Sequence, residues 1–187
     1  MKIWLTTILA ISLSGCVVVN KSSHSKSNKA PVNNTEQTVA VEPQDCVGSL
    51  NPPALFADKL TAVVDAPLLE RSLGDPGNGK LCQGRVYEVT EEFTIFRGWN
   101  STNPNSQLGV WWSFYRPEGS VAQYRTDFEI CYQWSPLDKM TECKVSAGTK
   151  IVIGNGQSAE CSQYLTYPVS AAQQIYLENA ADNTSDC

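Results

Sequence analysis

The sequence predicts an α+β fold in a single small domain that disulfides stabilise. Six of the seven cysteines lie between Cys46 and Cys187, a stretch of 142 residues that suits one hydrophobic core. Short strand-like runs dominate this stretch, and helical patterns are few. The chain therefore divides into three parts, which are residues 1–15, residues 16–45 and the domain at 46–187.

Residues 1–15 have the layout of a cleaved signal peptide. Lys2 precedes an apolar stretch from Ile3 to Leu13, and small residues then lead into Cys16. The apolar stretch is too short for a helix to span a hydrocarbon core of about 30 Å. We therefore predict an exported protein rather than one with a transmembrane helix.

The tetrad Leu13-Ser14-Gly15-Cys16 resembles the lipobox of bacterial lipoproteins. In that class the cysteine becomes the first residue of the mature chain and carries several acyl chains, which anchor a protein firmly in a bilayer. The resemblance implies lipidation of Cys16, with the lipid bilayer as its partner. Val17 follows where an aspartate would resemble an inner-membrane retention signal, which implies the outer membrane, facing either the periplasm or the surface.

Residues 16–45 are predicted to be a disordered tether. Ser, Asn, Lys, Thr, Gln and Pro dominate after the first apolar residues, so the segment buries too little apolar surface to offset its ordering entropy. His24, the only histidine of the chain, lies here and is expected to be solvated.

The remaining six cysteines are expected to form three disulfides, because an even number in an exported chain favours that state. The spacing leaves all fifteen pairings open, and a metal cluster lacks both CxxC pairs and a nearby histidine. The cysteines are Cys46, Cys82, Cys131, Cys143, Cys161 and Cys187.

Charge and composition exclude several functions. The domain has ten Lys and Arg against sixteen Asp and Glu, a net charge of −6, so nucleic acid is not an expected partner. Without histidine, it lacks Ser-His-Asp triads, Cys-His pairs and HExxH zinc sites. Catalysis would depend on carboxylates, Arg, Lys, Tyr, Ser or amides, with no metal.

The first element of the domain is predicted to be a helix over residues 54–64. Pro52 and Pro53 suit its first turn, and the helix is expected to end before Pro67. Turn residues fill 74–79, and a second, short helix is expected over 120–125. Strands are predicted at 85–89, 93–96, 110–114, 128–132, 144–145, 150–153 and 174–177.

Four of the five tryptophans lie between Phe93 and Trp134. Such a cluster forms either a hydrophobic core or a cleft that stacks a flat ligand. Arg97 ends an apolar strand, and the alternation of that strand places it in register with the core face. An arginine in that position is expected to be paired or to face a ligand.

The segment from Phe93 to Gly98 resembles the strand that opens domains of the ADP-ribosyltransferase superfamily, in its cholera- and pertussis-toxin-like branch. Three further motifs are similar to elements of that branch. They are Gly109-Val110-Trp111-Trp112-Ser113 followed by Ala122-Gln123-Tyr124, the glycine loop Val152-Ile153-Gly154-Asn155-Gly156-Gln157, and Gln174-Ile175-Tyr176-Leu177-Glu178.

The resemblance implies split antiparallel sheets with few helices and NAD as substrate. The protein would be a membrane-anchored mono-ADP-ribosyltransferase or an NAD glycohydrolase, acting on a target protein in the first case. The implied catalytic residues are Arg97, Ser113, Gln174 and Glu178, and the implied NAD contacts are Arg97, Trp99, Trp112 and Tyr124.

The final motif departs from the family pattern. The family pattern is a Glu-x-Glu or Gln-x-Glu pair, so a glutamate is expected two positions after Gln174, where Tyr176 stands. Glu178 lies two positions further on and shares the face of Gln174 if the strand persists. Glu160 is a rival carboxylate, and its alternative interpretation is an exposed acid beside a disulfide.

Two functions without catalysis compete with this interpretation. The domain is alternatively an envelope or surface binding module that uses a tryptophan-rich face for a glycan, a peptide or an envelope partner. In the second alternative it is a structural or immunity lipoprotein whose aromatic residues all lie in the core.

Overall fold

The structure is a computed structural model that describes residues 46–187. The predicted signal peptide, the lipidation of Cys16 and the tether all lie outside the described residues. In the part that is described, no helix has the length and apolar character to cross a membrane. The predicted class is confirmed at its coarser level, since the described fold is mostly sheet with a few short helices.

The secondary structure follows the chain in short elements. The strands are β1 (Leu60–Ala62), β2 (Leu81–Val89), β3 (Phe93–Trp99), β4 (Trp111–Trp112), β5 (Lys139–Val145), β6 (Lys150–Gly156), β7 (Ala159–Ser162), β8 (Leu165–Tyr167), β9 (Gln173–Tyr176) and β10 (Thr184–Ser185). The α-helices are α1 (Ala66–Ser72), α2 (Val121–Asp127) and α3 (Ala180–Asn183), and 3₁₀ helices cover Ala54–Lys59 and Pro104–Ser106.

The strands form two main antiparallel sheets and one hairpin. The five-stranded sheet has the order β1-β2-β6-β9-β4, and the three-stranded sheet has the order β10-β5-β3. Strand β4 links them, because Trp112 pairs with β9 while the next residue, Ser113, bridges to Phe96 of β3. Strands β7 and β8 form the separate hairpin.

The core lies on both faces of the five-stranded sheet. Strand β6 is buried on both sides: Ile151 and Ile153 join the larger cluster with Ile95 and Trp112, whereas Val152 joins the smaller cluster, which contains Leu68 of α1. This burial explains why β6 is a continuous apolar run rather than an alternating one. The sheets thereby hold β3 and β4 side by side.

The predicted helix over 54–64 is wrong. Only a 3₁₀ helix forms there, and the chain then enters β1, where Leu60 pairs with Val89 of β2. The helix begins instead at Ala66, capped by the Asp65 side chain, which accepts from the Leu68 amide at 3.1 Å. Pro67 lies in its first turn, where a missing N–H costs no hydrogen bond. Pairing with a distant strand has overridden local helix preference.

Most of the other elements agree with prediction. The strands expected at 85–89, 93–96, 144–145 and 150–153 lie within β2, β3, β5 and β6, and the helix at 120–125 overlaps α2, which Ser120 caps. Strand β4 is shorter than expected and β9 ends one residue early. The strand predicted at 128–132 is wrong, because Glu129 has a left-handed backbone with φ of 48°, which interrupts extended structure.

The three predicted disulfides are confirmed, and the structure supplies their pairing. Cys46 bonds Cys82, the second residue of β2. The other two bonds join Cys131, after α2, to Cys161 of β7, and Cys143 of β5 to Cys187. The loop that follows α2 is therefore covalently fixed to the β7–β8 hairpin.

Candidate functional site

A cavity of about 280 Å³ lies where β3, β4, the start of β9 and the segment around α2 meet. Its wall combines a guanidinium group, several aromatic rings, a carboxyl group and an amide. The residues that carry these groups are Arg97, Trp111, Trp112, Tyr124, Trp134, Glu129 and Gln174.

Arg97 reaches the cavity from β3, on the side of the strand where Ile95 is buried. Its Nε donates to the Ser106 carbonyl at 2.8 Å, and its Nη1 donates to the Trp111 carbonyl at 2.6 Å. The guanidinium packs directly on Gly109, where a Cβ atom would lie 2.4 Å from Nη2. Any side chain at that position would displace Arg97.

No carboxylate among residues 46–187 forms an ion pair with Arg97. Burial lowers the pKa of Arg97 below its ordinary value, and Tyr124 opposes that effect. An arginine nevertheless stays protonated in proteins, because the guanidinium is too weak an acid to lose its proton near neutral pH. The cavity therefore contains a fixed positive charge that two neutral carbonyls orient and none of the described acids neutralises.

The aromatic residues of the cavity wall are buried on one side and exposed on the other. The Trp112 indole is buried, and its Nε1 donates to the Gly109 carbonyl at 2.7 Å. The Tyr124 hydroxyl accepts from the Gly98 amide at 3.3 Å, and burial raises the pKa of this tyrosine. Trp134 is 50% exposed and packs over Gly79. The cavity thus offers ring faces at its base and at its rim.

Glu129 is the carboxyl group of the cavity. The residue is only 1% exposed, and its Oε2 accepts from Gln174 Nε2 at 2.9 Å. Its Oε1 is buried and has no partner among the described residues. Burial raises the pKa of Glu129 to about 9, which Asp127 reinforces and the side chains of Ser170 and Gln174 oppose. At neutral pH this carboxyl is protonated.

Four of the residues predicted from the sequence meet at this cavity, namely Arg97, Trp112, Tyr124 and Gln174. Ser113 does not line it, because its Oγ donates instead to the carbonyls of Phe96 and Tyr115 at 3.2 and 2.9 Å. Trp99, at the end of β3, also lies outside the lining, and its buried Nε1 has no partner among the described residues.

Glu178 lies apart from the cavity lining. Strand β9 ends at Tyr176, so the extended chain that would align Glu178 with Gln174 does not persist. Arg71 of α1 donates to the Glu178 carboxylate from Nε at 2.6 Å and from Nη2 at 2.9 Å, and the Tyr176 hydroxyl donates at 2.8 Å. The Arg71 guanidinium and this hydroxyl hold the pKa of Glu178 below its ordinary value.

Glu160, the rival carboxylate, is exposed on β7 and is also absent from the lining. Its backbone amide donates to the Gly77 carbonyl at 2.8 Å, which joins the β7–β8 hairpin to the turn before β2. Glu160 is therefore an exposed acid next to the disulfide-bonded Cys161, which agrees with the alternative interpretation of this residue.

Glu129 is the site residue that the sequence reasoning did not identify. In the strand predicted at 128–132, an acid between Phe128 and Ile130 belongs to the outward face. The one available signal was a charged residue inside an apolar run that ends at a disulfide cysteine. Its burial depends on Gln174 and Gly156, which are remote in sequence.

Within residues 46–187, no group of three or more His, Cys, Asp or Glu side chains is arranged to hold a metal ion. Comparison with family models, with curated proteins and with solved structures finds no match for this chain. The cavity and the sequence motifs are therefore the features that bear on function.

Proposed function

We propose that this protein is an exported, lipid-anchored enzyme that binds NAD in the Arg97 cavity and cleaves its nicotinamide–ribose bond, as a mono-ADP-ribosyltransferase or an NAD glycohydrolase. The observation that carries the proposal is the Arg97 guanidinium, which pairs with no carboxylate of residues 46–187 and lies among aromatic rings. Guanidinium groups bind phosphate oxygens in a forked geometry, and indole and phenol rings stack on flat heterocycles.

The size of the cavity supports one orientation of such a ligand. Small-molecule sites have volumes of about 300–1,000 Å³, and a cavity of about 280 Å³ suits one end of a dinucleotide. The nicotinamide end would lie among Trp112, Tyr124 and Gln174, and the diphosphate would lie against Arg97. The rest of the ligand would then extend past Trp134 at the rim.

The sheet arrangement also supports the proposal. A five-stranded and a three-stranded antiparallel sheet meet at the Phe96–Ser113 bridge. This is in keeping with the split antiparallel sheets that the resemblance implies, and Arg97 lies one residue after the bridge. Arg97 therefore lies next to the point where the two sheets meet, which supports its proposed role in binding the diphosphate.

The reaction breaks the bond between ribose C1′ and the nicotinamide nitrogen, and its electron pair neutralises the pyridinium. A water oxygen or a nucleophilic atom of a target protein then bonds to C1′ and releases a proton to solvent. The ribose carries positive charge in the transition state, which a carboxylate would stabilise. The resemblance implies Glu178 for this role, but its contacts with Arg71 do not favour it.

The cavity proposal is tested with the oxidised domain, NAD and two arginine variants. We expect NAD to raise the thermal midpoint of the wild type and of Arg116→Ala, but not of Arg97→Ala. Arg116 is the matched control because it is exposed and pairs with Glu142 at 3.0 Å, away from the cavity lining. An unchanged midpoint in the wild type at millimolar NAD would reject NAD as the ligand.

Cleavage is tested separately by measuring nicotinamide release. Loss of release in Glu178→Gln, with NAD binding retained, would keep Glu178 as the catalytic carboxylate. Retained nicotinamide release would exclude Glu178 from that role.

The anchor is tested by Cys16→Ser, which is expected to move the protein from the membrane fraction to the soluble fraction.

A binding module without catalysis is the second candidate function, and exposed aromatic residues favour it. Trp134 is 50% exposed at the rim of the cavity, and the nearby Tyr132 is 60% exposed. Binding of NAD without any nicotinamide release would favour this alternative. Binding of a glycan or an envelope peptide that survives Arg97→Ala but fails in Trp134→Ala would establish it.

A further inference from the structure

We propose that Glu129 and Gln174 together bind a primary carboxamide, with Glu129 as a neutral acid that donates a hydrogen bond from Oε1 to the carbonyl oxygen of the ligand. The assignment of nicotinamide as this carboxamide rests on the function proposed above. The chemical class of the ligand follows from the two side chains alone.

The first observation is that Glu129 has one satisfied and one unsatisfied oxygen. Oε2 accepts from Gln174 Nε2 at 2.9 Å, whereas Oε1 is buried and has no partner among the described residues. Leaving a buried polar atom without a hydrogen bond is unfavourable, because its desolvation is not compensated. Ser170 lies near enough to affect the pKa of this carboxyl, but its hydroxyl donates to the Asp127 carbonyl at 2.8 Å and not to Oε1. Because Glu129 lines the cavity, a ligand there can supply the partner that the described residues do not.

The second observation is that the surrounding residues make room for this carboxyl. Glu129 has a left-handed backbone with φ of 48°, which is unfavourable for a residue other than glycine. A Cβ atom at Gly156 would lie 1.6 Å from Glu129 Oε2 and 2.7 Å from Gln174 Nε2. The glycine on β6 thus leaves space for the carboxyl and amide pair. Cys131, two residues later, is fully buried and fixes the loop through its disulfide.

The neighbouring groups favour the neutral acid. Asp127 from α2 is a like charge, and Gln174 from β9, Ser170 and Gly156 from β6 bring no positive charge. The ionisable groups that share the cavity lining are Arg97, Lys80 and Tyr124. Neither Arg97 nor Lys80 forms an ion pair with Glu129 in the described structure.

The donor of Glu129 and the acceptor of Gln174 that the described residues leave free then indicate which chemical group would bind. A neutral carboxyl has one proton, and Oε2 is already an acceptor, so the proton is placed on Oε1 as a donor. The amide oxygen of Gln174 accepts no hydrogen bond from the described residues. One donor beside one acceptor complements a primary carboxamide, which presents a carbonyl oxygen and an NH₂ group. A carboxylate ligand would offer no donor to Gln174.

Nicotinamide and nicotinic acid are the matched probes, because they differ only in this group. We expect calorimetry at pH 7 to show nicotinamide binding at least about tenfold more tightly than nicotinic acid. Glu129→Gln keeps a neutral donor in place and is expected to retain the affinity within about threefold, whereas Glu129→Leu loses at least about tenfold. Thermal unfolding of each variant checks that the fold is intact.

Three results would overturn the proposal. If the affinity for nicotinamide rises with pH and disappears in Glu129→Gln, Glu129 is an ionised carboxylate that binds positive charge. In the free protein, infrared spectroscopy must show a protonated-carboxyl band at pH 7 that is absent from Glu129→Gln, and a missing band rejects the neutral acid whatever binds. If neither probe binds although the band is present, the carboxamide site is rejected. If nicotinamide binds but NAD does not, the proposed function fails and this inference stands.

Discussion

Glu129 and Glu178 are the same residue type in opposite environments. Glu178 has a side chain that is 30% exposed, two nitrogen donors from Arg71 and a lowered pKa. Glu129 is 1% exposed and has one amide donor, and burial raises its pKa to about 9. The comparison shows that solvent and partner, rather than residue type, decide which carboxyl carries charge. The carboxyl inside the cavity is the neutral one.

The two arginines show the same contrast. Arg71 binds a carboxylate with two of its nitrogens, so its charge is compensated near the surface. Among the described residues, Arg97 donates to the carbonyls of Ser106 and Trp111, and no described acid neutralises its charge. The cavity therefore combines this guanidinium and the nearby Lys80 with a neutral acid, whereas Arg71 and Glu178 compensate each other.

The largest expected effect is on the pH dependence of stability. Between the ordinary value of 4.5 and about 9, folded Glu129 keeps a proton that the unfolded chain releases. The free energy of unfolding therefore falls as pH rises, by up to about 1.4 kcal/mol per pH unit from this group. Glu129→Gln removes the dependence. Urea unfolding at several pH values measures it, and parallel curves for the two proteins would contradict the prediction.

The next effect concerns the space around Glu129. Gly156→Ala places a methyl group onto the Glu129 carboxyl. Because inserting an extra group into a packed core usually destabilises a protein by about 1–3 kcal/mol, we expect the free energy of unfolding to fall by that amount. The double variant Gly156→Ala/Glu129→Ala should recover much of the loss.

Gly119→Ala is the control for that experiment, since nothing lies within 4 Å of a Cβ at Gly119, although its φ of 90° adds backbone strain. The double variant of Gly119→Ala with Glu129→Ala should show no recovery. Equal recovery in both double variants would mean that Gly156 does not contact Glu129.

A smaller effect is expected at Glu178. Arg71→Ala should raise the pKa of Glu178 toward its ordinary value, which carboxyl NMR titration measures. The lowered pKa contributes stability above the ordinary pKa, and this is lost as pH falls through the lowered value, so the sign is opposite to that of Glu129. Because the pair is exposed, the thermal midpoint should change less than in Gly156→Ala. A larger change would remove the contrast between the two carboxyls.

The smallest effect is expected from Tyr176→Phe, which removes one hydroxyl donor and leaves both Arg71 nitrogens on Glu178. The pKa of Glu178 should rise by less than in Arg71→Ala, with little change in stability. A rise as large as in Arg71→Ala would show that the hydroxyl, and not the guanidinium, controls this carboxylate.

The sequence predicted the parts of this molecule that depend on local pattern. Alternation identified the strand that carries Arg97, and the glycine-flanked apolar run identified β6. The helix expected at 54–64 does not form, because Leu60 pairs with Val89 of β2. Local sequence patterns do not predict a contact between residues so far apart in the chain. Glu129 was missed for the same reason, since its burial is the result of Gly156 and Gln174 folding against it.

The bond between Cys46 and Cys82 has a mechanical consequence for a domain held by its N-terminal side. A pull on the chain before Cys46 reaches β2 through a covalent bond and bypasses the loop that the disulfide closes, which contains β1 and α1. The load therefore reaches β2 and the strands that pair with it, β1 and β6, before it reaches the segment inside that loop. After reduction, the same pull would act on that segment from its start, where the Val47 and Gly48 carbonyls accept from Gln83 Nε2.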